Sequence, residues 1–304
     1  MSALVRSIAS RRVARTMVRV SHQPIVSSPF NSIPSITAKT QPIRSFTASH
    51  QTHNAGGAAN STPSTTSTSA QSSAGDVDGT DLFGSGFDHL TLRYSPSMQS
   101  LTVTMNRPDL HNAFNEHVIR ELSTLFRSLT SACSTDPTSP LGSLRAVVLT
   151  GAGASFSAGA DLNWMKKMKS YTEEENLNDS KQLFHMFLLL NRCPVPLIAR
   201  VNGAALGGGV GLVAACDMAI AVDSAKFGLT EVKLGLSPAV ISSFVMSKMS
   251  PAATNFYFLT GSRFGAKEAK EVGLINQVVE SEAELDKAVQ KILEELALNS
   301  PKAG

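Results

Sequence analysis

The sequence predicts an α/β fold, and three observations carry that expectation. Apolar runs of strand length alternate with stretches of helical periodicity from residue 101 onward. Two glycine-rich stretches, GAGASFSAG at 151–159 and GAALGGG at 203–209, each follow a short apolar run, where turns at strand ends are expected. The composition, 42% hydrophobic and 17% charged, suits a globular protein with a sizeable core, and no apolar run has the roughly 18–20 residues of a membrane span.

The chain begins with a segment of different character. Its first acidic residue is Asp76, and before it stand Arg6, Arg11, Arg12, Arg15, Arg19, Lys39 and Arg44 among many serines and threonines. Taking those seven from the 27 Lys and Arg leaves 20 against 24 Asp and Glu, a balance near −4 for the remainder. An Arg- and Ser-rich, acid-free start able to wind into an amphipathic helix predicts a mitochondrial presequence over 1–49, with Arg44-Ser45-Phe46 as a processing signal. A solvated basic tail is the plainer alternative. Residues 50–81 are almost free of large apolar side chains and read as a flexible Ser/Thr/Gly-rich linker, which leaves 82–304 as the folded domain.

Within that domain LTVTMN (101–106) alternates as a strand does and ends at Arg107-Pro108. Phe114, Val118, Ile119, Leu122, Leu125, Phe126 and Leu129 recur at helical spacing and predict a helix over 112–129. A polar loop with two prolines (134–143) leads to a buried strand at 145–150 and the first glycine stretch. A helical region follows over 162–191 with a break at 170–174, then a strand at 197–203. The second glycine stretch, a helix of small residues, a strand at 219–228 and a helix at 284–298 complete the series.

Neither glycine stretch is a nucleotide fingerprint. The first has glycines at 151, 153 and 159, not G-x-G-x-x-G, and the second lacks the G-K-[ST] of a P-loop. The three cysteines, Cys133, Cys193 and Cys216, include no CxxC pair, which speaks against a disulfide framework or a zinc site. Two readings of the glycine stretches stay open. Backbone N–H groups from Ser157–Ala160 and Gly207–Gly209 could aim at one oxygen as an oxyanion hole, or the small residues only let a helix pack closely on a strand.

SFSAGADLNWM, RVNGAALGGGVGLVAACDMAI and KFGLTEVKLGLSPAV, in this order, resemble the crotonase (enoyl-CoA hydratase/isomerase) superfamily. TMNRPDLHNAFN and FLTGSRFGAKEAKEVGLINQVV extend the likeness, which covers about 90–281. AGADLNWM with LSPAVIS is most similar to the 3-methylglutaconyl-CoA hydratases of leucine degradation. The resemblance implies a crotonase-like spiral of ββα units with outer helices, assembled as homotrimers or paired trimers (hexamers). It implies a mitochondrial matrix enzyme that binds an acyl-CoA and needs no metal and no cofactor beyond the CoA of its substrate. The family continues with further helices after the position where this chain stops, so the C-terminal helical region is expected to be truncated.

The resemblance assigns the two oxyanion donors to the Ala160 and Gly208 N–H groups. It sets Ala158, Ala160, Asp161, Leu162 and Asn163, with Gly208, beside the CoA, although Asn163 stands where several relatives carry a lysine. Glu231 matches one of the hydratases' two glutamates, while the other position holds Gly211. Glu231 as sole base, a substitute side chain from a mobile 172–176 region, isomerisation, and an inactive member remain open at this point. A surface charge is the plainer reading of Glu231. Asp217 is expected to cap a turn, His111 to be structural, Cys216 to be a core thiol, and Trp164 and Met165 either to line an acyl pocket or to pack a helix. A non-catalytic RNA-binding or scaffold role is disfavoured by the near −4 balance of the body.

Overall fold

The computed structural model describes residues 75–83, 86–135 and 139–299; the expected presequence and residues 50–74 of the expected linker lie outside them. The sequence boundary at residue 82 falls inside the first structured piece. Strand β1 (Val77–Asp78) already pairs antiparallel with β2 (Leu90–Ser95), and the Gly79 N–H donates to Leu92 O. Backbone groups thus claim residues whose side chains carry no apolar signal.

Strand β3 (Ser100–Met105) is followed by a 3-10 turn at Pro108–Leu110 and then by His111 and Asn112, both left-handed at φ 50° and 53°. Two such residues cannot continue a right-handed helix. Helix α1 therefore runs Glu116–Thr135, not 112–129, and the Asn115 side chain caps it by accepting from the His117 and Val118 N–H groups. The expected apolar stripe holds: Val118, Ile119, Leu122, Leu125, Phe126 and Leu129 are the buried residues of α1.

The next elements are β4 (Ala146–Gly151), β5 (Ser155–Ser157), α2 (Leu162–Met168), α3 (Glu173–Asn191), β6 (Leu197–Val201), β7 (Ala204–Leu206) and α4 (Gly208–Ala215). Then come β8 (Met218–Val222), β9 (Lys226–Gly228), α5 (Ser242–Lys248), α6 (Pro251–Thr260), β10 (Arg263–Gly265), α7 (Ala266–Glu271), β11 (Gln277–Val279) and α8 (Glu282–Leu298). Seven strands form one sheet in the order β1-β2-β3-β4-β6-β8-β11, and four form a second in the order β10-β9-β7-β5. Each turn gives one strand to each sheet before its helix, β4 and β5, then β6 and β7, then β8 and β9. This is the expected spiral of ββα units.

That topology corrects two sequence expectations. The strand expected at 197–203 ends at Val201, before the break where the chain changes sheets into β7, and 219–228 is two strands, β8 and β9, one in each sheet. At the first break a Cβ on Gly203 would overlap the Ala154 carbonyl, so the backbone bends there without a side chain. Asp217 caps no turn. Its side chain accepts from the Leu197 N–H at 2.8 Å while its own N–H donates to Leu197 O at 2.9 Å, which pins the start of β6. Among the described residues no helix is long and apolar enough to cross a membrane.

Candidate active site

In the second sheet β5, β7 and β9 lie side by side and parallel. Their carboxyl ends deliver three loops to one place, the usual location of a ligand crevice in α/β folds. The β5 end carries Ala158–Asp161, the β7 end Gly207–Gly208, and the β9 end a 3-10 turn at Thr230–Leu234 with Glu231 in it.

Gly159, at φ +82°, forms the junction of the first two loops. A Cβ on it would lie 2.5 Å from Leu206 O and 2.9 Å from Gly208 N. The Ala160 amide, next in the chain, therefore adjoins the Gly208 amide. Ala160 is held by a bridge to Phe114, in which the Phe114 N–H donates to Gly159 O at 2.8 Å and the Asp161 N–H to Phe114 O at 3.0 Å. The Phe114 ring lies against the Gly208 Cα on the other side. Among the described residues neither the Ala160 nor the Gly208 N–H has an acceptor, and both residues are partly accessible between buried neighbours. Gly207, at φ 52° and ψ −120°, turns the chain into α4, whose first N–H groups have no partner within the helix.

Glu231 faces these amides. A Cβ on Gly207 would stand 3.2 Å from its Oε1 and 3.8 Å from its Oε2. Oε2 is buried and finds no hydrogen-bond partner among the described residues. Burial pushes the Glu231 carboxyl above the ordinary glutamate range, against a smaller opposing pull from its own backbone N–H. The plainer reading, a surface charge, does not fit a carboxylate so placed.

The other predicted residues divide. The Ala158 N–H is spent on His111 O at 2.9 Å, so it is not free to meet a ligand. Asp161 accepts from the Asn163 N–H at 2.8 Å as the cap of α2 and pairs with Arg107 at 3.1 Å; its side chain holds the loop together. Burial raises its pKa, but the Asn163 amide and the Arg107 guanidinium together outweigh that and hold it below the usual aspartate range. Leu162 and Asn163 are exposed on the first turn of α2. His111 is structural, its ring 3.1 Å from Ser155 Oγ, and Cys216 is buried with its thiol pushed upward by that burial. Trp164 is 4% exposed and packs into the core, with Nε1 unpartnered.

At Gly211 the space for a second carboxylate is already occupied. A Cβ there would overlap Ile241 Cγ2 and come within 3.0 Å of Phe187 Cε1. Within residues 172–176, Thr172 and Glu175 are spent on a reciprocal capping box at the start of α3. Ile241, Phe187 and Phe114 were not singled out as site residues because nothing in their local pattern separates them from core. Arg107 and Asn112 were missed as well. Asn112 donates to Ala152 O and Ser155 O and accepts from the Arg107 N–H, tying the β3, β4 and β5 loops together.

Elsewhere, Asp88, His89 and Glu121 bring ligand-type atoms within 4.8 Å of one another, but Glu121 spends both oxygens on His89. A polar cavity of about 610 Å³ between the first sheet and α8, lined by Thr91, Thr104, Arg200 and Asp286 among others, shares no residue with this cluster.

Residues 98–304 match the enoyl-CoA hydratase/isomerase family. A Thermus thermophilus relative that carries the name of an enoyl-CoA hydratase is 39% identical over 158 residues, covering 52% of this chain and 62% of its own. The chain thus spans less than two thirds of that relative's length. The 2,3-dehydroadipyl-CoA hydratase of Escherichia coli is 33% identical over 211 residues, covering 69% of this chain and 76% of its own. The crystal structure of an enoyl-CoA hydratase from Shewanella pealeana superimposes with a TM-score of 0.66 at 35% identity, over 74% of this chain and 80% of that one.

Proposed function

This chain belongs to the enoyl-CoA hydratase/isomerase family, and from that premise we propose that it adds water across the C2=C3 bond of an acyl-CoA thioester. The observation that carries the reading is the Glu231 carboxylate, its Oε2 buried and unpartnered, set against Gly207 beside two amides with no acceptor among the described residues. Addition of water oxygen to C3 moves the π electrons through C2 to the thioester oxygen. Donors already aimed at that oxygen stabilise the developing charge without reorganising, and losing one donor typically costs about 2.7–4 kcal/mol. Ala160 and Gly208 supply those donors. Glu231 takes the proton from water as C–O bond formation proceeds and returns one to C2 on the same face, so a single carboxyl closes the cycle. Its raised pKa suits both transfers near neutral pH.

In this reading the substrate is a branched, carboxylated enoyl-CoA of the 3-methylglutaconyl type from leucine degradation. The AGADLNWM and LSPAVIS segments support it, while the name of the E. coli relative, a 2,3-dehydroadipyl-CoA hydratase, is consistent only with a carboxylated acyl end. The matrix is the proposed compartment, on the strength of the basic first 49 residues. Self-assembly into trimers or paired trimers belongs to the same proposal, and the exposed Val232, Leu234, Phe256 and Leu259 support it. Glu231→Gln, nearly isosteric, should lose almost all hydration with the fold intact; retained turnover would remove Glu231 from the base role.

A second reading, double-bond isomerisation by Glu231 alone, is favoured by one observation: Ile241 and Phe187 fill the place of a second carboxylate. Incubating a 3-enoyl-CoA in deuterated water separates the two. Isomerisation takes a proton from C2 and delivers one to C4, giving a C2=C3 double bond with no added oxygen and any solvent deuterium at C4.

A further inference from the structure

Among the described residues four buried polar side-chain atoms lack a partner: Trp164 Nε1, Asp179 Oδ2, Glu231 Oε2 and Thr254 Oγ1. The reaction above uses Glu231. Trp164 and Asp179 stand on consecutive helices, α2 and α3, that leave the Ala160 loop. An orphaned buried group of this kind points to a ligand or a water.

Asp179 continues the inward stripe of α3. Positions 179, 183, 186, 187 and 190 share one face; the last three are buried and Leu183 packs on the core. At the inner end of the stripe Phe187 reaches Gly211, and its ring centre lies 6.4 Å from that of Phe114, which rests on Gly208. The stripe thus starts beside the reaction centre and reaches Asp179 two helical turns, about 12 Å, farther out. The charged groups around Asp179 are Glu116 at the start of α1 and Lys167 in the last turn of α2, paired with each other at 3.1 Å. On α3 itself, Glu175 is bound to the Thr172 N–H. Burial and then Glu116 push the Asp179 carboxyl up to about 6, with Lys167 opposing.

We propose that Asp179 and Trp164 read the far end of the acyl group, and that they take a terminal carboxylate by sharing one proton between it and Asp179. The proposal rests on the acyl-CoA reading and deepens it by naming the residues that select a carboxylated acyl chain. An indole N–H without an acceptor on α2 and a carboxyl able to donate on α3, the latter near the Lys167 ammonium that Glu116 holds, are each groups an anion can use. Two carboxylates side by side cannot both ionise cheaply, so they hold one proton between them. Free Asp179 is mostly ionised near neutral pH, so binding takes that proton from solvent. An uncharged acyl end gives no such uptake.

The test is calorimetric binding of glutaryl-CoA and butyryl-CoA at about pH 7.5 in two buffers of different ionisation enthalpy. Glutaryl-CoA should take up close to one proton and butyryl-CoA none. The glutaryl-to-butyryl affinity ratio should fall about tenfold per pH unit above the Asp179 value. Asp179→Asn should abolish the uptake and flatten that slope; Trp164→Phe should lower the ratio and keep the uptake. Equal uptake for both ligands, no uptake, or an unchanged slope in Asp179→Asn overturns the proposal. A persisting difference in uptake without any hydration would sink the hydratase reading and leave this one standing.

Discussion

Placing a side chain at Gly211 tests whether the missing carboxylate was simply lost or has been built over. A methyl group there overlaps Ile241 Cγ2 and stands 3.0 Å from both Ile241 Cβ and Phe187 Cε1. Gly211 lies inside α4, so alanine gains about 1 kcal/mol of helix propensity. Overpacking costs about 1–3 kcal/mol, and here it should win, because both neighbours are themselves core residues with little freedom to move. Gly211→Ala should therefore lose up to about 2 kcal/mol net. Gly211→Glu should lose about 3 kcal/mol or more, because it also buries a carboxyl among apolar side chains. It should gain no hydration activity. Ile241→Ala alone should cost about 2–5 kcal/mol through its cavity. Combined with Gly211→Ala it should cost less than the sum by about 1–2 kcal/mol, since the new methyl group fills part of that cavity. Urea unfolding midpoints of the two single variants and the double variant give the coupling directly. A stabilising Gly211→Ala, or strict additivity of the pair, would refute the picture of a filled site.

Three further outcomes follow from the same geometry. Glu231 must be ionised to accept a proton, and burial raises its pKa, so the acid limb of kcat against pH should lie above the ordinary glutamate value of about 4.3; a limb at or below it would contradict the burial. Asp161→Ala should cost about 2–4 kcal/mol by removing the α2 cap and leaving the largely buried Arg107 unpaired. Because the folded-state pKa of Asp161 is depressed, its contribution is present at neutral pH and fades as pH falls below about 4 through the folded value; Asp161→Asn should flatten stability in that window, as acid titration of the unfolding midpoint will show. Gly159→Ala, forced to φ +82° with its Cβ against Leu206 O and Gly208 N, should cost about 1–3 kcal/mol in backbone strain alone and lower kcat by separating the two amides; unchanged turnover would remove the junction from the catalytic geometry.

Much of the frame was legible because it is written in local periodicity. The α1 stripe from Val118 to Leu129, the break between α2 and α3, and the glycine turns at the ends of β5 and β7 all follow from spacing and turn chemistry. Ala160, Gly208 and Glu231 are singled out by the family resemblance of the motifs that carry them; spacing alone leaves close packing and a surface charge as the plainer readings. The errors fell where non-local pairing decides. The helical spacing from Phe114 onward does not reveal that His111 and Asn112 turn left-handed before the helix, nor that Phe114 leaves the helix to bridge Ala160. Residues 219–228 look continuous until two sheets draw β8 and β9 apart, and the strand from 197 stops at Val201 for the same reason.

By itself the sequence determined the α/β class, the alternation of strand and helix from 101 to 228, the family and the identity of the groups that could do chemistry. Those are properties of short windows and of residue type. Only the tertiary structure decided which groups are available. It spent Ala158 on His111 and Asp161 on Arg107, left the Ala160 and Gly208 amides without acceptors, and closed the space at Gly211 with Ile241 and Phe187 from two other helical segments. It also buried one carboxylate oxygen of Glu231 and one of Asp179 without a partner. Burial and unpaired hydrogen-bonding capacity depend on what distant segments bring into contact, and no local window encodes that.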